Sequence, residues 1–440
     1  MKSRKKELFL FTLIDYKAME EYFEKKALEG WMISKINTFT MEFKKIEPKK
    51  LKFFVDIHPY ISPFESHDEE AIENHRNIFE KRGWKFLLSC DKLQIFFCDE
   101  EDNIPSKKIE ELEDKDILKK AFFSLEVLPI FILIPVLLLS LRGLFPISYD
   151  KLFTNTSIAT TVMLPLLLIP VLIYAFYYGF WFLKARKHLK KGISIPKTSL
   201  KSALVRGFIY YILIAFIALV YLVSLTLDII GGFTFPIFFL LVPIIGIGVV
   251  YYYKKKNYTS KRGRTKNIML FTSLLLMITM LVSIFAIGMI ISNNRFVEAM
   301  LGMKNELPEK YEALKLKDFG IDKEPRVKRF SQKSSIIVPE SYEYHELSTE
   351  GKIRTYYYKA VNSDVADYIY EGMLKEEGSL MYREIIKAPE QTWNSERAFY
   401  LKEDRSMIIL LKENTVILID GDMDLSNQNI IEISVKKLEI

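Results

Sequence analysis

ALVRGFIYYILIAFIALVYLVSLTL, residues 203–227, decides the class of this protein. Only Arg206 among these 25 residues carries a charge. A helix of about 20 apolar residues is long enough to cross the roughly 30 Å hydrocarbon core of a bilayer. The stretch therefore predicts a transmembrane helix, and it excludes an ordinary soluble enzyme.

Four other stretches of the 440-residue chain have the same character. The predicted membrane domain covers residues 121–291 and contains five transmembrane helices, at 121–145, 158–183, 203–227, 233–253 and 268–291. Prolines inside these spans predict kinked helices. A conducting pathway is the alternative, but no span carries an acidic residue or a histidine in its interior, and five spans do not divide into inverted repeats.

The basic residues of this membrane domain lie in two alternate loops. Residues 184–206 hold eight and residues 254–266 hold seven, with no acidic residue in either loop. The positive-inside rule places both loops and the N-terminus in the cytoplasm, and five spans then place the C-terminus outside the cell. We predict a multi-pass cell-membrane protein that contacts anionic lipid headgroups of the bilayer, and not nucleic acid, through Lys187, Lys190, Lys191, Lys254, Lys255 and Lys256.

Residues 1–118 predict a cytoplasmic α+β domain with an internal repeat. A β run at 8–14 precedes a helix that Asp15 can cap, and a second helix follows near 68–82. Each helix ends at a glycine followed by a tryptophan, so we assign structural roles to Gly30, Trp31, Gly83 and Trp84. The element order predicts a split-βαβ-like fold, in which two helices cover one face of a single antiparallel sheet and residues 31–43 pair with residues 51–57.

Four segments of this domain carry a family resemblance. Over roughly residues 7–100 the chain resembles the bacterial family called domain of unknown function 2812 (DUF2812), through residues 15–18, EKKALEGW (24–31), FKKIEPKKLKFFVD (43–56) and FEKRGW (79–84). The resemblance implies a cytoplasmic α/β module followed by membrane helices in Gram-positive bacteria, often encoded beside PadR-like transcriptional regulators. It implies no activity.

Residues 292–440 predict an extracellular α+β domain on a stalk. The stalk is an amphipathic segment at 295–319, interrupted at Pro308. Strands follow at 334–347, 352–361, 397–401, 406–413 and 415–420, with a helix at 365–377 and a final helix from Ser426 to about residue 438. Tyr356, Tyr357 and Tyr358 either contact a ligand or pack inside a tyrosine-rich sheet face, and strand alternation turns Tyr357 away from the other two.

One segment has the spacing of a metal loop. Asp420, Asp422 and Asp424 alternate like the first ligands of a calcium site, but Leu425 occupies the position that needs glycine and Ile431 the position that needs glutamate. The segment is either a weak extracellular cation site or a polar turn that caps the final helix. No nucleophile elbow, phosphate loop or zinc motif occurs, so we predict no cofactor and no enzyme activity.

Three functions remain open. The first is a signalling or regulatory membrane protein that couples an unknown extracellular ligand or protein to a cytoplasmic protein partner, such as a PadR-like regulator. The second is an accessory subunit of a transporter. The third is a membrane enzyme that acts on envelope components. We expect the first, because two folded domains joined by spans without internal charge suit transmission better than catalysis or transport.

Overall fold

The computed structural model describes residues 3–37, 39–57, 69–90, 93–99, 134–135, 137–231, 273, 306–379 and 385–440. The chain forms two compact units. Unit 1 consists of Met1–Leu138, Leu166–Ile217 and Ile244–Met280, and unit 2 consists of Leu139–Pro165, Ala218–Pro243 and Leu281–Ile440.

The N-terminal domain, in unit 1, repeats one β-α-β-β pattern. The first copy is β1 (Arg4–Leu8), α1 (Tyr16–Leu28), β2 (Trp31–Ile36) and β3 (Thr40–Lys45), and the second is β4 (Leu51–Ile57), α2 (Glu69–Glu80), β5 (Lys85–Cys90) and β6 (Leu93–Asp99). Each copy has its own antiparallel sheet of three strands, ordered β1-β3-β2 and β4-β6-β5. The internal repeat is therefore confirmed, whereas the single sheet is wrong.

The two copies agree in backbone detail. Gly30 (φ +84°) and Gly83 (φ +98°) both adopt left-handed conformations after their helices, as the predicted C-caps require. The strand register then shifts between Ile33 and Lys35 in β2 and between Phe86 and Leu88 in β5. Each bulge falls on the third residue after the tryptophan, so the repeat includes a strand irregularity that the sequence pattern did not reveal.

Helix α1 of the first copy packs against strand β4 of the second. The rings of Phe23 and Phe53 lie 5.7 Å apart between centroids, and the buried Glu20 carboxylate accepts a hydrogen bond of 3.0 Å from the Val55 amide. Strand β4 pairs with β6 along its whole length. The predicted pairing of residues 31–43 with 51–57 is therefore wrong, because residues 31–45 close on themselves as a β2–β3 hairpin.

Apart from Leu8, which ends strand β1 and is exposed, the apolar run at 8–14 is a connection and not a strand. Strand β1 ends at Leu8, and a 3₁₀ turn follows at Leu13–Asp15. Phe11, Leu13 and Ile14 are buried in a core that also includes Tyr178 and Trp181. The apolar side chains that predicted a strand instead pack in a core with these aromatic rings.

Three described helices follow in the middle third: α3 (Asn155–Leu166), α4 (Leu168–Lys190) and α5 (Leu200–Ile230). Two stretches, Asn155–Lys190 and Leu200–Ile230, are long and apolar enough to cross a membrane, and few of their most apolar residues are buried within the protein. They coincide with the predicted spans 158–183 and 203–227. The span 121–145 is described only at 134–135 and from residue 137 onward, where a helical turn ends in a 3₁₀ turn, and the spans 233–253 and 268–291 lie outside the described residues apart from Ser273.

The C-terminal domain, in unit 2, is a seven-stranded antiparallel sheet with a helix on each face. Its strand order is β10-β11-β12-β13-β9-β8-β7. The strands are β7 (Val327–Lys333), β8 (Glu340–Leu347), β9 (Lys352–Lys359), β10 (Ile386–Lys387), β11 (Arg397–Tyr400), β12 (Met407–Lys412) and β13 (Thr415–Gly421), and the helices are α6 (Ser363–Ser379) and α7 (Gln428–Lys437). Strands β7 and β10 were not predicted from the sequence.

The two faces of this sheet have separate cores. Ile409 and Leu418 pack with Ile369 of α6, whereas Ile408 and Ile417 belong to the core that contains Ile431 of α7. Because both faces are covered, β12 and β13 are apolar at nearly every position and show no alternation.

The predicted stalk contains no α-helix where it is described, and its last residues, Leu316–Phe319, form a 3₁₀ turn. Residues 306–315 contain no helix, and 295–305 lie outside the described residues. Ala313 and Leu314 are fully buried, and the Leu314 amide donates to the Thr355 hydroxyl at 3.3 Å. The segment belongs to the C-terminal domain, because its apolar residues fill the core of the sheet and do not form a free amphipathic helix.

The two Gly–Trp joints differ in burial, which predicts different costs of substitution. Trp84 is 2% exposed and packs with Phe54 and Phe96, whereas Trp31 is half-buried. Trp84→Ala should destabilise the domain by about 3–5 kcal/mol, the usual cost of emptying an aromatic core site, and Trp31→Ala by less.

Hydrogen exchange of the β4–β6 amides in the detergent-solubilised full chain measures this difference. Trp84→Phe, which keeps an aromatic ring in the core, is the matched control. A larger effect of Trp31→Ala than of Trp84→Ala would contradict the assignment of the core.

Candidate functional site

A buried ion pair connects the N-terminal domain to helix α5 within unit 1. The carboxylate of Asp15 is fully buried, and its Oδ2 accepts a hydrogen bond from Nη2 of Arg206 at 2.5 Å. The same oxygen accepts from the Thr12 amide at 3.0 Å and from the Thr12 hydroxyl at 2.7 Å. Asp15 was predicted to cap helix α1, but it makes no capping hydrogen bond to that helix. Its charge is used instead to neutralise an arginine.

Aromatic and backbone contacts surround this ion pair. The Arg206 guanidinium lies 3.7 Å from the centroid of the Tyr177 ring in α4, and the Tyr211 hydroxyl donates to the Phe9 carbonyl at 3.1 Å. Gly207 is required here, because a Cβ at this position would lie 2.2 Å from the Leu10 carbonyl oxygen. Helices α4 and α5 therefore hold the segment 9–15 by charge, ring stacking and close backbone contact.

The hydrogen-bonding capacity of this ion pair is not fully used. Asp15 Oδ1 and Arg206 Nη1 are both buried and make no hydrogen bond within the described part of the chain. Removing two charges from water costs several kcal/mol, which only good geometry can offset. A contact of this kind is sensitive to small displacements, because any separation leaves two uncompensated charges.

A second buried carboxylate lies at the other end of α5, within unit 2. Asp228 is 1% exposed. Its Oδ1 accepts from the Asn155 amide at 2.7 Å and from Asn155 Nδ2 at 2.9 Å, and its Oδ2 accepts from the Thr156 amide at 2.9 Å and the Thr156 hydroxyl at 2.5 Å. These amides begin helix α3, where unpaired N–H groups and the helix dipole favour an anion. Asp228 therefore caps a helix other than its own.

The same helix end is bonded to the C-terminal domain. Asn155 Oδ1 accepts from the Ile336 amide at 3.0 Å, and the Ser335 hydroxyl donates to the Leu152 carbonyl at 2.5 Å. Gln332 Nε2 donates to the carbonyl of Gly231, just beyond α5, at 3.2 Å. Residues 332–336, at the end of β7 and the start of the loop that follows it, thus hold both helix ends. Sequence reasoning missed this site, because Asp228 and Asn155 are 73 residues apart in the chain and no local pattern connects them.

The three tyrosines of β9 alternate as predicted. Tyr358 stacks on Phe153 with 4.5 Å between ring centroids, and Tyr357, on the opposite face, stacks on Tyr342 at 4.9 Å. Burial and the nearby Glu343 carboxylate raise the pKa of Tyr356 to about 12. These contacts correspond to the packed alternative, and ligand contact at Tyr356 to Tyr358 stays a prediction.

The three aspartates at 420–424 do not converge. Lys402 Nζ lies 2.6 Å from Asp420 Oδ1, Lys352 Nζ lies 3.7 Å from Asp422 Oδ1, and Asp424 accepts from the amide of Ser426 at 2.8 Å. The described residues contain no group of three or more His, Cys, Asp or Glu side chains able to hold a metal ion. The segment forms a polar turn before helix α7, which begins at Gln428 with Asn427 as its cap, and cation binding at 420–424 stays a prediction.

The proposed membrane-surface lysines are described in part. Lys187 and Lys190 lie in the last turn of α4, and Lys191 follows that helix. All three are exposed, as contact with lipid headgroups requires. Lys254, Lys255 and Lys256 lie outside the described residues, and lipid contact stays a prediction for both groups.

Comparison with known proteins identifies the N-terminal domain alone. Residues 15–122 match the family model described as a protein of unknown function, DUF2812. The resemblance inferred from the Gly–Trp joints is thereby confirmed, over roughly a quarter of the chain. No curated protein and no solved structure matches the chain.

Breaking the Asp15–Arg206 pair should destabilise unit 1 strongly. Asp15→Asn leaves the Arg206 guanidinium buried without a counter-charge, which typically costs about 3–5 kcal/mol. Replacing both residues, as Asp15→Leu with Arg206→Met, should recover most of that loss, because no buried charge then remains.

Thermal unfolding of the detergent-solubilised chain measures these changes. Lys25→Gln is the control, since Lys25 forms an exposed pair with Glu21 whose loss should cost no more than about 1 kcal/mol. An Asp15→Asn variant as stable as this control would show that the ion pair does not hold the junction.

Proposed function

We propose that the protein is a multi-pass membrane protein with a signalling or regulatory function and no enzyme activity. It would couple an extracellular C-terminal domain to a cytoplasmic protein partner of the N-terminal domain, such as a PadR-like regulator. One observation carries the proposal: helix α5 contributes the buried Arg206 to unit 1 and the buried Asp228 to unit 2. Each charge is bonded to a segment held by a different folded domain.

The grouping of the loops supports the proposed topology. The topology places residues 184–206 in the cytoplasm with the N-terminal domain, and both belong to unit 1. It places residues 146–157 and 228–231 outside with the C-terminal domain, and these belong to unit 2. Ile195 and Ala203 of the first loop are buried in the N-terminal core, whereas Phe153 of the second packs in the C-terminal core.

Coupling needs an element with two states that both domains can bias. A ligand shifts such an equilibrium only by the difference between its affinities for the two states. Helix α5 meets this requirement if a small movement exchanges the hydrogen-bond partners of Arg206 or Asp228. A buried charge is stable only where it is compensated, so such a helix has a few discrete positions. In this proposal the coupling element is α5 and not the segment 295–319 that the sequence predicted to be a stalk.

Cysteine accessibility tests the topology. Single cysteines at positions 190 and 260 should resist a membrane-impermeant maleimide in intact cells, and cysteines at positions 150 and 350 should react. All four should react after permeabilisation, which serves as the control for exposure. Reaction at 190 or 260 in intact cells would refute the topology.

Substitution of Asp228 tests the coupling. Asp228→Asn keeps the side-chain volume but removes the charge and one of the two accepting oxygens, so it should weaken the link between α3, α5 and residues 332–336. We expect the variant to reach the membrane at normal levels and to reproduce part of the transcriptional change seen on deletion of the whole protein. Thr226→Ser, on the exposed side of the same helix turn, is the matched control.

The absence of a transcriptional effect would distinguish the signalling function from the alternative functions. If deletion of the protein has a phenotype and Asp228→Asn and Arg206→Gln leave the transcriptome unchanged, the signalling proposal is wrong. Co-purification of the wild-type chain with an ATPase or permease would then favour the transport-accessory function. Crosslinking in native membranes with mass spectrometry identifies the partner in either case.

A further inference from the structure

Two large apolar side chains are exposed at one end of the first sheet of the N-terminal domain. Leu8, the last residue of β1, is 48% exposed, and Phe39, in the turn between β2 and β3, is 64% exposed. The Phe9 amide donates a hydrogen bond of 2.9 Å to the Phe39 carbonyl, so the end of β1 and this turn lie side by side. We call Leu8 and Phe39 the apolar tip.

The residues that follow Leu8 contact helix α5 within unit 1. The Phe9 carbonyl accepts from the Tyr211 hydroxyl at 3.1 Å, and the Leu10 carbonyl lies against Gly207. Both helix residues belong to the uncharged stretch of α5 at 207–227. The apolar tip therefore lies close to the point where α5 becomes apolar, which is where a spanning helix enters the bilayer.

Behind the apolar tip, the same strand carries positive charges. Arg4, Lys6 and Leu8 alternate along β1 and are all exposed, so they share one face of the strand. In the antiparallel pairing with β3, Leu8 lies opposite Thr40, Lys6 opposite Glu42 and Arg4 opposite Lys44. Lys35 of β2 lies opposite Glu42 from the other side.

The charges on this face are predominantly positive. Arg4, Lys6, Lys35 and Lys44 are exposed, and we call them the basic face. Glu42, in their midst, lies 3.1 Å from the Lys6 ammonium. The hydrogen bond from Lys6 and the charges of Lys35 and Arg4 lower the pKa of Glu42, so these three cations lie near one carboxylate. Four cations and one carboxylate give the face a net positive charge.

The order of apolar and basic residues matches the layers of a bilayer surface. A strand rises about 3.3 Å per residue, so Lys6 lies roughly 7 Å and Arg4 roughly 13 Å behind Leu8. Surface-bound elements bury their apolar side chains roughly 5–10 Å into the boundary between headgroups and acyl chains. Basic side chains just behind that depth meet the anionic headgroups.

We propose that the apolar tip inserts into the cytoplasmic leaflet beside α5 and that the basic face binds the headgroups of anionic lipids. The bilayer is the occupant because the tip continues the apolar surface of α5 and because the charge of the face is opposite to that of the headgroups. The inference rests on the proposed crossing of the membrane by α5. It adds a lipid contact of the N-terminal domain itself to the contact predicted for the lysines at the end of α4.

Photocrosslinking of the full-length protein in nanodiscs tests the insertion. The nanodiscs contain equal amounts of phosphatidylcholine and phosphatidylglycerol, and p-benzoylphenylalanine replaces one residue at a time. At position 39 it should form adducts with lipid, which mass spectrometry identifies. Position 216 is the positive control, because Phe216 is exposed within the apolar stretch of α5. Position 47 is the negative control, because Glu47 is exposed and follows the end of β3 remote from Thr40.

The three positions separate this inference from the proposed topology. Lipid adducts at 39 and 216 but not at 47 would support the insertion. Adducts at 216 without adducts at 39, or adducts at 39 that join two protein chains, would overturn the insertion and leave the crossing by α5 intact. Lipid adducts as abundant at 47 as at 39 would also overturn it. Absence of lipid adducts at 216 would contradict the crossing and the insertion together.

The lipid selectivity of the same reaction tests the basic face. At position 39, adducts with phosphatidylglycerol should outnumber those with phosphatidylcholine, and Lys6→Gln combined with Lys35→Gln should lower that ratio at least twofold. Lys50→Gln combined with Lys81→Gln is the matched control, because it makes the same change of charge at exposed positions of the same domain outside the basic face. An equal ratio in the two double variants would overturn the assignment of headgroup binding to the basic face.

Discussion

A charge at the end of an apolar helix must find a partner, and this constraint governs both units of the protein. Arg206 and Asp228 bracket 21 uncharged residues of α5, which at 1.5 Å per residue span roughly 32 Å, about the thickness of a hydrocarbon core. Neither charge can be left bare at such a position without a large cost. The N-terminal domain supplies Asp15 to the first, and the start of helix α3 supplies four hydrogen bonds to the second.

The N-terminal domain is organised around that contact. Its two β-α-β-β copies share the strand order, the left-handed glycine and the bulge, yet among the described residues it is the first copy that provides the segment bonded to α5. The apolar residues of that segment are buried with Tyr178 and Trp181. The second copy keeps a separate aromatic core around Trp84. The first copy thus makes the contact with the helices, and the second copy contributes a core of its own.

The two ends of the C-terminal sheet differ in the side chains that their strands carry. Strands β12 and β13 are covered on both faces and are apolar at nearly every position, whereas β7 to β9 carry charged side chains on both faces. The loop between β7 and β8 holds the helix ends near Asp228.

The sequence by itself determined the apolar spans that the structure describes, the Gly–Trp joints and the family resemblance. These features depend on composition or on residues close together in the chain, where periodicity and capping chemistry leave few choices. Only the tertiary structure decided that each repeat closes its own sheet, that the run at 8–14 is a core connection and that the stalk residues at 306–316 belong to the sheet. It alone also paired Asp15 with Arg206, 191 residues away, and Asp228 with Asn155, 73 residues away. The physical reason is that a buried charge selects its partner by position in space, and no local pattern records which distant residue the fold brings within hydrogen-bond reach.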